Sequence, residues 1–380
     1  MLQPLQDETY MRLALQMAQS AQGQTGVNPV VGCVLVKDGR IVGMGAHLRR
    51  GEGHAEVLAL QMAGAEAAGA TAYVTLEPCS HYGRTPPCSD RLIRSGVRRV
   101  VVASVDPNPL VAGSGIARLK CSGVRVDAGL LAEEANAMNE AFNKFIVTRL
   151  PFVTMKNAST LDGKIAARTG DSKWITGAPA RELVHTMRHR HAAIMVGIGT
   201  VLADDPELTT RLAVPALHPL RVVVDSQLRT PLSARVLPAG QDEGSTLILT
   251  TAGAPASRRE ALEAQGAKVL TCGSGPHVDL PLAMRLLGEM EVPSVLLEGG
   301  GRLSGAMLEN RLVDKAVLFF APKWIGGGAQ APDNVSFGGF GRMSEAIRLA
   351  GMTVQTVGDD VCLTGYPQYA EEEASSCLPE

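Results

Sequence analysis

The sequence has few aromatic residues, no excess of basic charge and no long apolar segment. Phe, Trp and Tyr make up 4% of the 380 residues, and 36 Lys and Arg are set against 38 Asp and Glu, a net charge of −2. A chain with neither a basic field nor many stacking side chains is not typical of a nucleic-acid-binding protein. We therefore expect no nucleic-acid partner.

No apolar run approaches the roughly 18 residues of a membrane-spanning helix, since the richest runs, 29–36 and 316–322, have the length of strands. The first ten residues, MLQPLQDETY, lack a basic region followed by an apolar core, so no secretory signal is predicted. Seven cysteines are too few for a disulfide scaffold in a chain of this length. We expect a cytoplasmic protein with reduced thiols and no membrane attachment.

Helical and strand patterns alternate along the chain, which predicts α/β domains. A hydrophobic content of 45% with 19% charged residues is ordinary for a folded protein, and the length predicts two or three domains. A long helical pattern over 130–146 is followed by Pro151, where a helix should already have ended. We place two domains at 1–148 and 151–368, followed by a tail over 369–380 that frays.

The first domain is predicted as one sheet surrounded by helices. Its helices are expected over 7–22, 56–68, 89–95 and 130–146, and its strands over 30–36, 41–45, 71–76 and 99–104. In the second domain, strands are expected over 152–158, 192–197, 221–225, 246–250, 268–270, 294–297, 313–320 and 355–364, with helices over 180–189, 257–265, 282–288 and 303–309. This alternation predicts a mainly parallel sheet, with the last two strands antiparallel at an edge.

One imidazole and two thiols form a candidate metal site. His54 is followed two residues later by Glu56, and Pro-Cys pairs place Cys79 and Cys88 further along the chain. Three such ligands suit a catalytic zinc, which keeps a fourth position for water. Glu56 can take the proton of that water and return it to a leaving ammonia. The His-x-Glu and Pro-Cys elements match the signature of zinc deaminases.

The spacing of the two cysteines departs from that signature. Eight residues separate Cys79 from Cys88 instead of two, which weakens the likeness to deaminases of nucleosides and nucleic-acid bases. The longer loop supplies His81 and Arg84, which are suited to holding a phosphorylated substrate. An alternative is a structural zinc with His81 as its fourth ligand, but that arrangement leaves Glu56 unexplained.

The second domain lacks the Gly-x-Gly-x-x-Gly fingerprint of a standard dinucleotide fold. Another turn, Gly299-Gly300-Gly301, follows a predicted strand and opens a helix. Amides at a helix N-terminus can meet a pyrophosphate closely where glycine leaves room. By itself such a turn is weak evidence of a cofactor site.

Five motifs together resemble the bifunctional riboflavin-biosynthesis deaminase/reductase family, RibD/RibG. They are Asn28-Pro29-Val30-Val31-Gly32, His54-Ala55-Glu56, Leu76-Glu77-Pro78-Cys79-Ser80-His81, Thr85-Pro86-Pro87-Cys88 and Asp106-Pro107-Asn108-Pro109. The resemblance covers nearly the whole chain. It implies a cytidine-deaminase-like α/β/α zinc domain followed by a dihydrofolate-reductase-like α/β domain. The implied activities are deamination of a diaminopyrimidinone ribosylamino phosphate and NADPH-dependent reduction of its ribosyl chain, in a dimer.

The resemblance also implies roles for individual residues. Zinc is held by His54, Cys79 and Cys88, and Glu56 moves protons. NADP contacts fall on Ala158, Trp174, Thr200, Asp204, Ser226 and the turn Gly300, Gly301, Arg302, Leu303, Ser304, Gly305 and Ala306. Pyrimidine contacts in the deaminase fall on Asn28 and His47, and substrate contacts in the reductase on Ser172, Arg188, Leu208, Arg211 and Glu298.

Elementary chemistry adds to these assignments. Two Arg residues suit a sugar phosphate, because a guanidinium binds phosphate through two hydrogen bonds. We expect Lys156 and Asp204 to polarise and protonate the sugar during reduction. Ser226 and Arg229 are the nearest candidates for binding the 2′-phosphate that distinguishes NADP from NAD.

Three of these residues also have a purely structural interpretation. Asn28 would then belong to a turn, Asp204 to an Asp-Asp-Pro turn, and Arg188 to the solvated face of a helix. For the whole chain, the alternatives are an RNA-base deaminase with a second, binding domain, and a reductase with a purely structural zinc. The near-neutral charge and scarce aromatics argue against RNA.

Overall fold

The computed structural model describes residues 6–81, 86–109, 111–237 and 245–369. Within those ranges no helix is both long and apolar enough to span a bilayer. The chain divides into two compact units, one made of Met1–Pro151 with Gly288–Pro293 and the other of Phe152–Leu287 with Ser294–Glu380. Each unit has its own sheet.

The first unit is built on a mixed five-stranded sheet. Its strands are β1 Gly32–Lys37, β2 Arg40–Ala46, β3 Thr71–Leu76, β4 Arg99–Ser104 and β5 Arg125–Ala128, and its helices are α1 Asp7–Gln19, α2 Ala55–Ala63, α3 Cys88–Arg94, α4 Ser114–Cys121, α5 Ala132–Met138 and α6 Glu140–Thr148. The strand order is β2-β1-β3-β4-β5, in which β1 is antiparallel to β2 and β3, and the other pairs are parallel.

The sheet of the first unit is covered by helices on both faces. Alternating residues of β1 point to opposite sides: Cys33 and Leu35 join a core formed with α2, α3 and α4, whereas Val34 and Val36 pack with α1. This alternation is what a strand buried on both faces requires. The resulting α/β/α layers confirm the fold expected for the N-terminal domain.

The single helix expected over 130–146 is wrong: α5 and α6 are separate helices that meet at Asn139. Asn139 is buried, and its side chain accepts a hydrogen bond from Val30 N and donates one to Val30 O, at 2.9 and 3.0 Å. These two bonds satisfy the backbone of Val30 at the entry to β1. The apolar periodicity continues through the break, so the pattern alone does not show it.

The second unit is built on a nine-stranded, mainly parallel sheet. Its strands are β6 Phe152–Thr160, β7 Ala193–Gly197, β8 Leu220–Val224, β9 Thr246–Thr250, β10 Lys268–Thr271, β11 Ser294–Leu297, β12 Lys315–Ala321, β13 Arg348–Val357 and β14 Asp360–Gln368, and its helices are α7 Ala178–Arg190, α8 Ile198–Asp204, α9 Ala256–Ala264, α10 Leu280–Glu289 and α11 Gly301–Glu309. The order is β10-β9-β8-β7-β11-β6-β12-β14-β13.

The expected parallel sheet with an antiparallel edge is confirmed. All neighbouring pairs from β10 to β12 are parallel, and β14 is antiparallel to both β12 and β13. The single strand expected over 355–364 is wrong, because the chain turns at Gly358, whose φ is +64°. Of the expected fraying tail, residues 370–380 lie outside the described ranges.

Two candidate active sites

His54, Cys79 and Cys88 meet where α2 and α3 begin in the first unit. His54 immediately precedes α2, and Cys88 is the first residue of α3. Cys79 lies on the loop that leaves β3. His54 Nδ1 is 3.7 Å from Cys79 Sγ and 3.3 Å from Cys88 Sγ, and the three donor atoms lie within 4.8 Å of one another. The structure therefore brings together all three predicted metal ligands.

The donor set fits zinc. One imidazole and two thiolates match the ligands of catalytic zinc sites that keep a fourth position free. Hydrogen bonds with Cys88 and His54 lower the pKa of the Cys79 thiol, whereas the contact with Cys79 and burial raise the pKa of Cys88. Among the residues that the structure describes, the cluster has three donors and does not include His81. A closed structural site with His81 as fourth ligand is therefore not supported.

Glu56 lies beside this donor set in the first turn of α2. Its side chain is buried, with 3% of the residue exposed. Burial and the neighbouring Cys79 raise the pKa of the Glu56 carboxyl to about 7. A carboxyl with a pKa near neutrality is suited to accepting and releasing a proton during catalysis.

Asn28 and His47 adjoin the metal ligands. Asn28 Nδ2 lies 3.2 Å from His47 Nε2, and His47 Nδ1 lies 3.3 Å from the Gly53 carbonyl. The His47 ring packs edge-on against the His54 ring at 5.4 Å. Asn28 also closes a turn with Thr25, so it has a structural contact as well. Of the two loop residues expected to hold a phosphate, His81 is exposed and Arg84 lies outside the described ranges.

The second site centres on Glu298, directly after β11. Arg188 of α7 contacts both Glu298 oxygens, at 2.8 and 2.9 Å, and Lys156 Nζ of β6 lies 3.2 Å from Oε2. All three side chains are 14% exposed or less. Burial alone would raise the pKa of the Glu298 carboxyl, but the two cations hold it well below its usual range. Arg188 is therefore not a solvated residue of an exposed helix face.

Ser172, Asp204 and Arg211 lie on segments around the same unit. Ser172 Oγ donates to Asp204 Oδ1 at 2.9 Å, which joins two predicted site residues. Asp204 is the last residue of α8, and Arg211 pairs with Glu207 at 2.8 Å on the irregular segment that follows. Leu208 is buried on that segment.

His185 is a residue that the sequence analysis missed. It precedes Arg188 by three residues on α7, and its Nδ1 accepts a hydrogen bond from Arg211 N at 3.1 Å. Burial, with Arg188 and Arg211 nearby, lowers the pKa of His185 to about 4. The only signal in the sequence is helical spacing, because residues three apart on a helix share a face.

The glycine turn at the start of α11 has two different uses. A Cβ on Gly301 would lie 2.2 Å from the Asp333 carbonyl, and one on Gly305 would lie 2.0 Å from the Ser336 carbonyl. These two glycines therefore let a neighbouring segment cross the helix. Gly300 remains at the open N-terminus, where a Cβ would lie 3.9 Å from Thr200 Oγ1. This end of the helix is suited to a pyrophosphate.

The remaining predicted cofactor residues are dispersed around the second unit. Ala158 packs in a small apolar cluster with α7, and Trp174 is 66% exposed beneath the Arg181 guanidinium. Ser226 follows β8, and its Oγ accepts a hydrogen bond from Val278 N at 3.2 Å. Within the turn, Ser304 is fully buried, whereas Arg302 is exposed and Leu303 and Ala306 are partly buried.

A three-layer α/β/α unit with a His-Cys-Cys donor set and a buried glutamate defines a zinc-dependent deaminase class. The second unit, with its own parallel sheet and buried Lys-Glu-Arg group, is a separate α/β domain of the reductase class. Family models agree with both: residues 4–104 match the cytidine and deoxycytidylate deaminase zinc-binding region, and residues 151–363 match the RibD C-terminal domain.

Comparison with individual proteins covers nearly the whole chain. The chain is 45% identical to riboflavin biosynthesis protein RibD of Bacillus amyloliquefaciens, over 95% of this chain and 96% of that protein. It is similar to the structure of Acinetobacter baumannii RibD, with 38% identity, a TM-score of 0.84 and coverage of 95% and 99%. A Thermotoga maritima diaminohydroxyphosphoribosylaminopyrimidine deaminase/5-amino-6-(5-phosphoribosylamino)uracil reductase matches with 34% identity, a TM-score of 0.82 and the same coverage. The chain belongs to the RibD family.

Proposed function

We propose that this chain is a bifunctional enzyme of riboflavin biosynthesis. Its first reaction is the zinc-dependent hydrolytic deamination of 2,5-diamino-6-ribosylamino-4(3H)-pyrimidinone 5′-phosphate. Its second is the NADPH-dependent reduction of the ribosyl side chain to a ribityl side chain. The observation that carries the proposal is the convergence of His54, Cys79 and Cys88 beside the buried Glu56.

In the deaminase, Glu56 is the residue that moves protons. His54, Cys79 and Cys88 would hold zinc, which would supply an acidified water. The buried Glu56 carboxyl would accept a proton from that water and give it to the departing ammonia. Asn28 and His47 bind the pyrimidine beside it, while His81 and Arg84 hold the phosphate end.

In the reductase, Lys156, Arg188 and Glu298 form the substrate end of the site. The nicotinamide supplies the hydride when bound. Lys156 polarises the sugar, and Asp204, held by Ser172, donates a proton to it. Arg188 and Arg211 bind the phosphate, and Ser172, Leu208 and Glu298 are further substrate contacts. NADP is held by Ala158, Trp174, Thr200, Asp204, Ser226 and the turn over 300–306, with Ser226 or Arg229 at the 2′-phosphate.

The deaminase is assigned to residues 1–148 and the reductase to residues 151–368. The family resemblance supports a homodimer, and the small size of the substrate removes any need for a nucleic-acid or membrane partner. The six cysteines of the described ranges form no disulfide, in keeping with a cytoplasmic location.

A coupled assay tests the proposal. The purified, zinc-loaded chain is given the diaminopyrimidinone nucleotide with NADPH present or omitted, and ammonia and NADPH absorbance are followed. We expect ammonia release without NADPH, and NADPH oxidation only after deamination has begun. Absence of ammonia release from zinc-loaded protein would contradict the deaminase assignment, and absence of NADPH oxidation with the deaminated nucleotide would contradict the reductase assignment.

A further inference from the structure

Glu77 is a buried carboxylate without a role in the proposed chemistry, and it directly precedes Pro78 and Cys79. Only 4% of it is exposed. Its Oε1 accepts hydrogen bonds from Gly115 N and Ile116 N, at 2.8 and 3.1 Å, and its Oε2 accepts from Gly113 N and Asp106 N, at 2.9 and 3.3 Å. Four backbone donors thus converge on one side chain. Charge-assisted bonds of this kind are stronger than neutral ones.

These donors belong to the first turn of α4 and to the Asp106-Pro107-Asn108-Pro109 motif. The four first amides of a helix have no partner within the helix, and here the Glu77 carboxylate satisfies those of Gly115 and Ile116. Asp106 Oδ1 in turn accepts from Asn108 N at 2.9 Å, which shapes the turn that leads to α4. A motif that the catalytic assignments leave unused is therefore joined through Glu77 to the loop that carries Cys79.

The first turn of α4 also touches the residues on both sides of Cys79. A Cβ on Gly115 would lie 1.9 Å from the Pro78 carbonyl oxygen, so this helix packs directly on the loop backbone. Ser114 Oγ lies 2.6 Å from Ser80 Oγ. On the other side, the Cys79 carbonyl accepts hydrogen bonds from Ser89 N and Ser89 Oγ, at 3.1 and 3.0 Å. Cys79 is thus fixed between α4 and α3.

We propose that Glu77 is a positioning residue for Cys79: by tying α4 and the Asp106 turn to the Pro78–Cys79 backbone, it holds the thiolate at the metal and sets the affinity for zinc. The inference rests on the proposed zinc site. A ligand whose backbone is held in place loses less conformational freedom on binding, and residues that orient metal ligands change metal affinity by about 10- to 100-fold when replaced.

Two substitutions test the contact between the Glu77–Cys79 segment and the first turn of α4, one from each side. Glu77→Gln keeps the length of the side chain but replaces one acceptor oxygen with an amide donor that faces backbone N–H groups. Gly115→Ala leaves Glu77 in place and forces the Pro78 carbonyl away from α4. Asp7→Asn is the matched control, because the hydrogen bonds of Asp7 within the described ranges go to Arg99 and Tyr73 of the same unit.

The readouts are the zinc dissociation constant, from competition with a chromophoric chelator, and the visible spectrum of the cobalt-substituted protein. We expect Glu77→Gln and Gly115→Ala to weaken zinc binding by about 10-fold or more and to alter the thiolate–cobalt bands. Asp7→Asn should lower the melting temperature with both readouts unchanged. Rescue is expected from Glu77→Asp in part, since it keeps the carboxylate.

The outcomes separate this inference from the proposed function. If Glu77→Gln and Gly115→Ala lower the melting temperature but keep the wild-type zinc affinity and cobalt spectrum, Glu77 is only structural and the inference is wrong. If the wild-type chain itself binds no zinc, the proposed deaminase site fails instead. If one of these two variants does not fold, the zinc affinity of the other still tests the inference, because Glu77→Gln changes the carboxylate and Gly115→Ala displaces the Pro78 carbonyl.

Discussion

Arg188 and Glu298 form a two-point ion pair in the second unit, with Nε–Oε1 and Nη2–Oε2 distances of 2.8 and 2.9 Å. Arg188 Nη1 also donates to the Thr209 carbonyl at 3.0 Å. The pair therefore joins α7, the end of β11 and the segment that carries Arg211. Because Lys156 also lies 3.2 Å from Glu298, one carboxylate holds two cations at the place where we assign the substrate.

Replacing Glu298 with Gln is expected to destabilise the second unit by about 3–5 kcal/mol, because it leaves the buried cations Arg188 and Lys156 without their partner. Both tryptophans, Trp174 and Trp324, lie in this unit, so urea unfolding followed by tryptophan fluorescence measures the effect. Glu182→Ala, on the exposed side of α7, is the control. A loss below about 1 kcal/mol, the range of surface pairs, would contradict the buried pair.

The same pair predicts a pH dependence. The pKa of the Glu298 carboxyl is lower in the folded chain than in the unfolded chain, so the pair contributes stability above the unfolded pKa of about 4.3. That contribution is lost as the pH falls below this value through the folded pKa. The difference in unfolding free energy between wild type and Glu298→Gln should therefore narrow as the pH is lowered from neutrality to about 3. A constant difference over that range would show that Glu298 is not the titrating group.

Glu56→Gln is expected to reduce ammonia release by about 10²- to 10⁴-fold, because an amide cannot accept and return the proton. Zinc content, measured by atomic absorption, should equal that of the wild type, since Glu56 is not a ligand. NADPH oxidation with the previously deaminated nucleotide should also be unchanged. Full deaminase activity in Glu56→Gln would contradict the assignment of Glu56 as the residue that moves the proton.

Removing zinc with a chelator is expected to abolish ammonia release and to leave NADPH oxidation intact. The ligands His54, Cys79 and Cys88 all belong to the first unit, and the groups assigned to reduction all belong to the second. Re-addition of zinc should restore deamination. Equal loss of both activities after chelation would contradict the assignment of the two reactions to separate sites.

His185→Ala is expected to raise the KM of the reductase for its phosphorylated substrate by about three- to tenfold, the effect of losing one hydrogen bond. The bond from Arg211 N to His185 Nδ1 fixes the backbone beside the Arg211 guanidinium. In His185→Asn, the side-chain oxygen can accept in place of Nδ1 and should largely restore KM. An equal KM in wild type and His185→Ala would show that this bond does not position Arg211.

Much of the fold follows from periodicity in the sequence. The strands at Thr71–Leu76, Arg99–Ser104, Thr246–Thr250 and Ser294–Leu297 have the predicted bounds, because buried strands give short apolar runs bounded by turns. The break between α5 and α6, made by the bonds of Asn139 to Val30, depends on tertiary contacts and leaves no local signal. The turn at Gly358 does have a local signal that the sequence analysis missed, because Gly358-Asp359 between two strand-like runs is typical of a two-residue hairpin loop.

The candidate sites show the same division. The candidate metal ligands can be predicted from the sequence, because one His followed by two Pro-Cys pairs is a pattern with few roles other than metal binding. Glu77 is not, since its role depends on four amides from 29 to 39 residues further along the chain. Gly301 and Gly305 likewise look like parts of a phosphate-binding turn, and the structure shows that each also admits a crossing backbone segment.

The most direct test of two independent sites in one chain is complementation between two inactive variants. Glu56→Gln and Lys156→Ala are each given the diaminopyrimidinone nucleotide with NADPH, separately and as a mixture, and the ribityl product is measured by mass spectrometry. We expect neither variant alone to form the product: Glu56→Gln should accumulate the starting nucleotide, and Lys156→Ala the deaminated nucleotide. The mixture should form the ribityl product with one NADPH oxidised per ammonia released. A mixture as inactive as its components, with both variants folded and the Lys156→Ala protein loaded with zinc, would contradict the account.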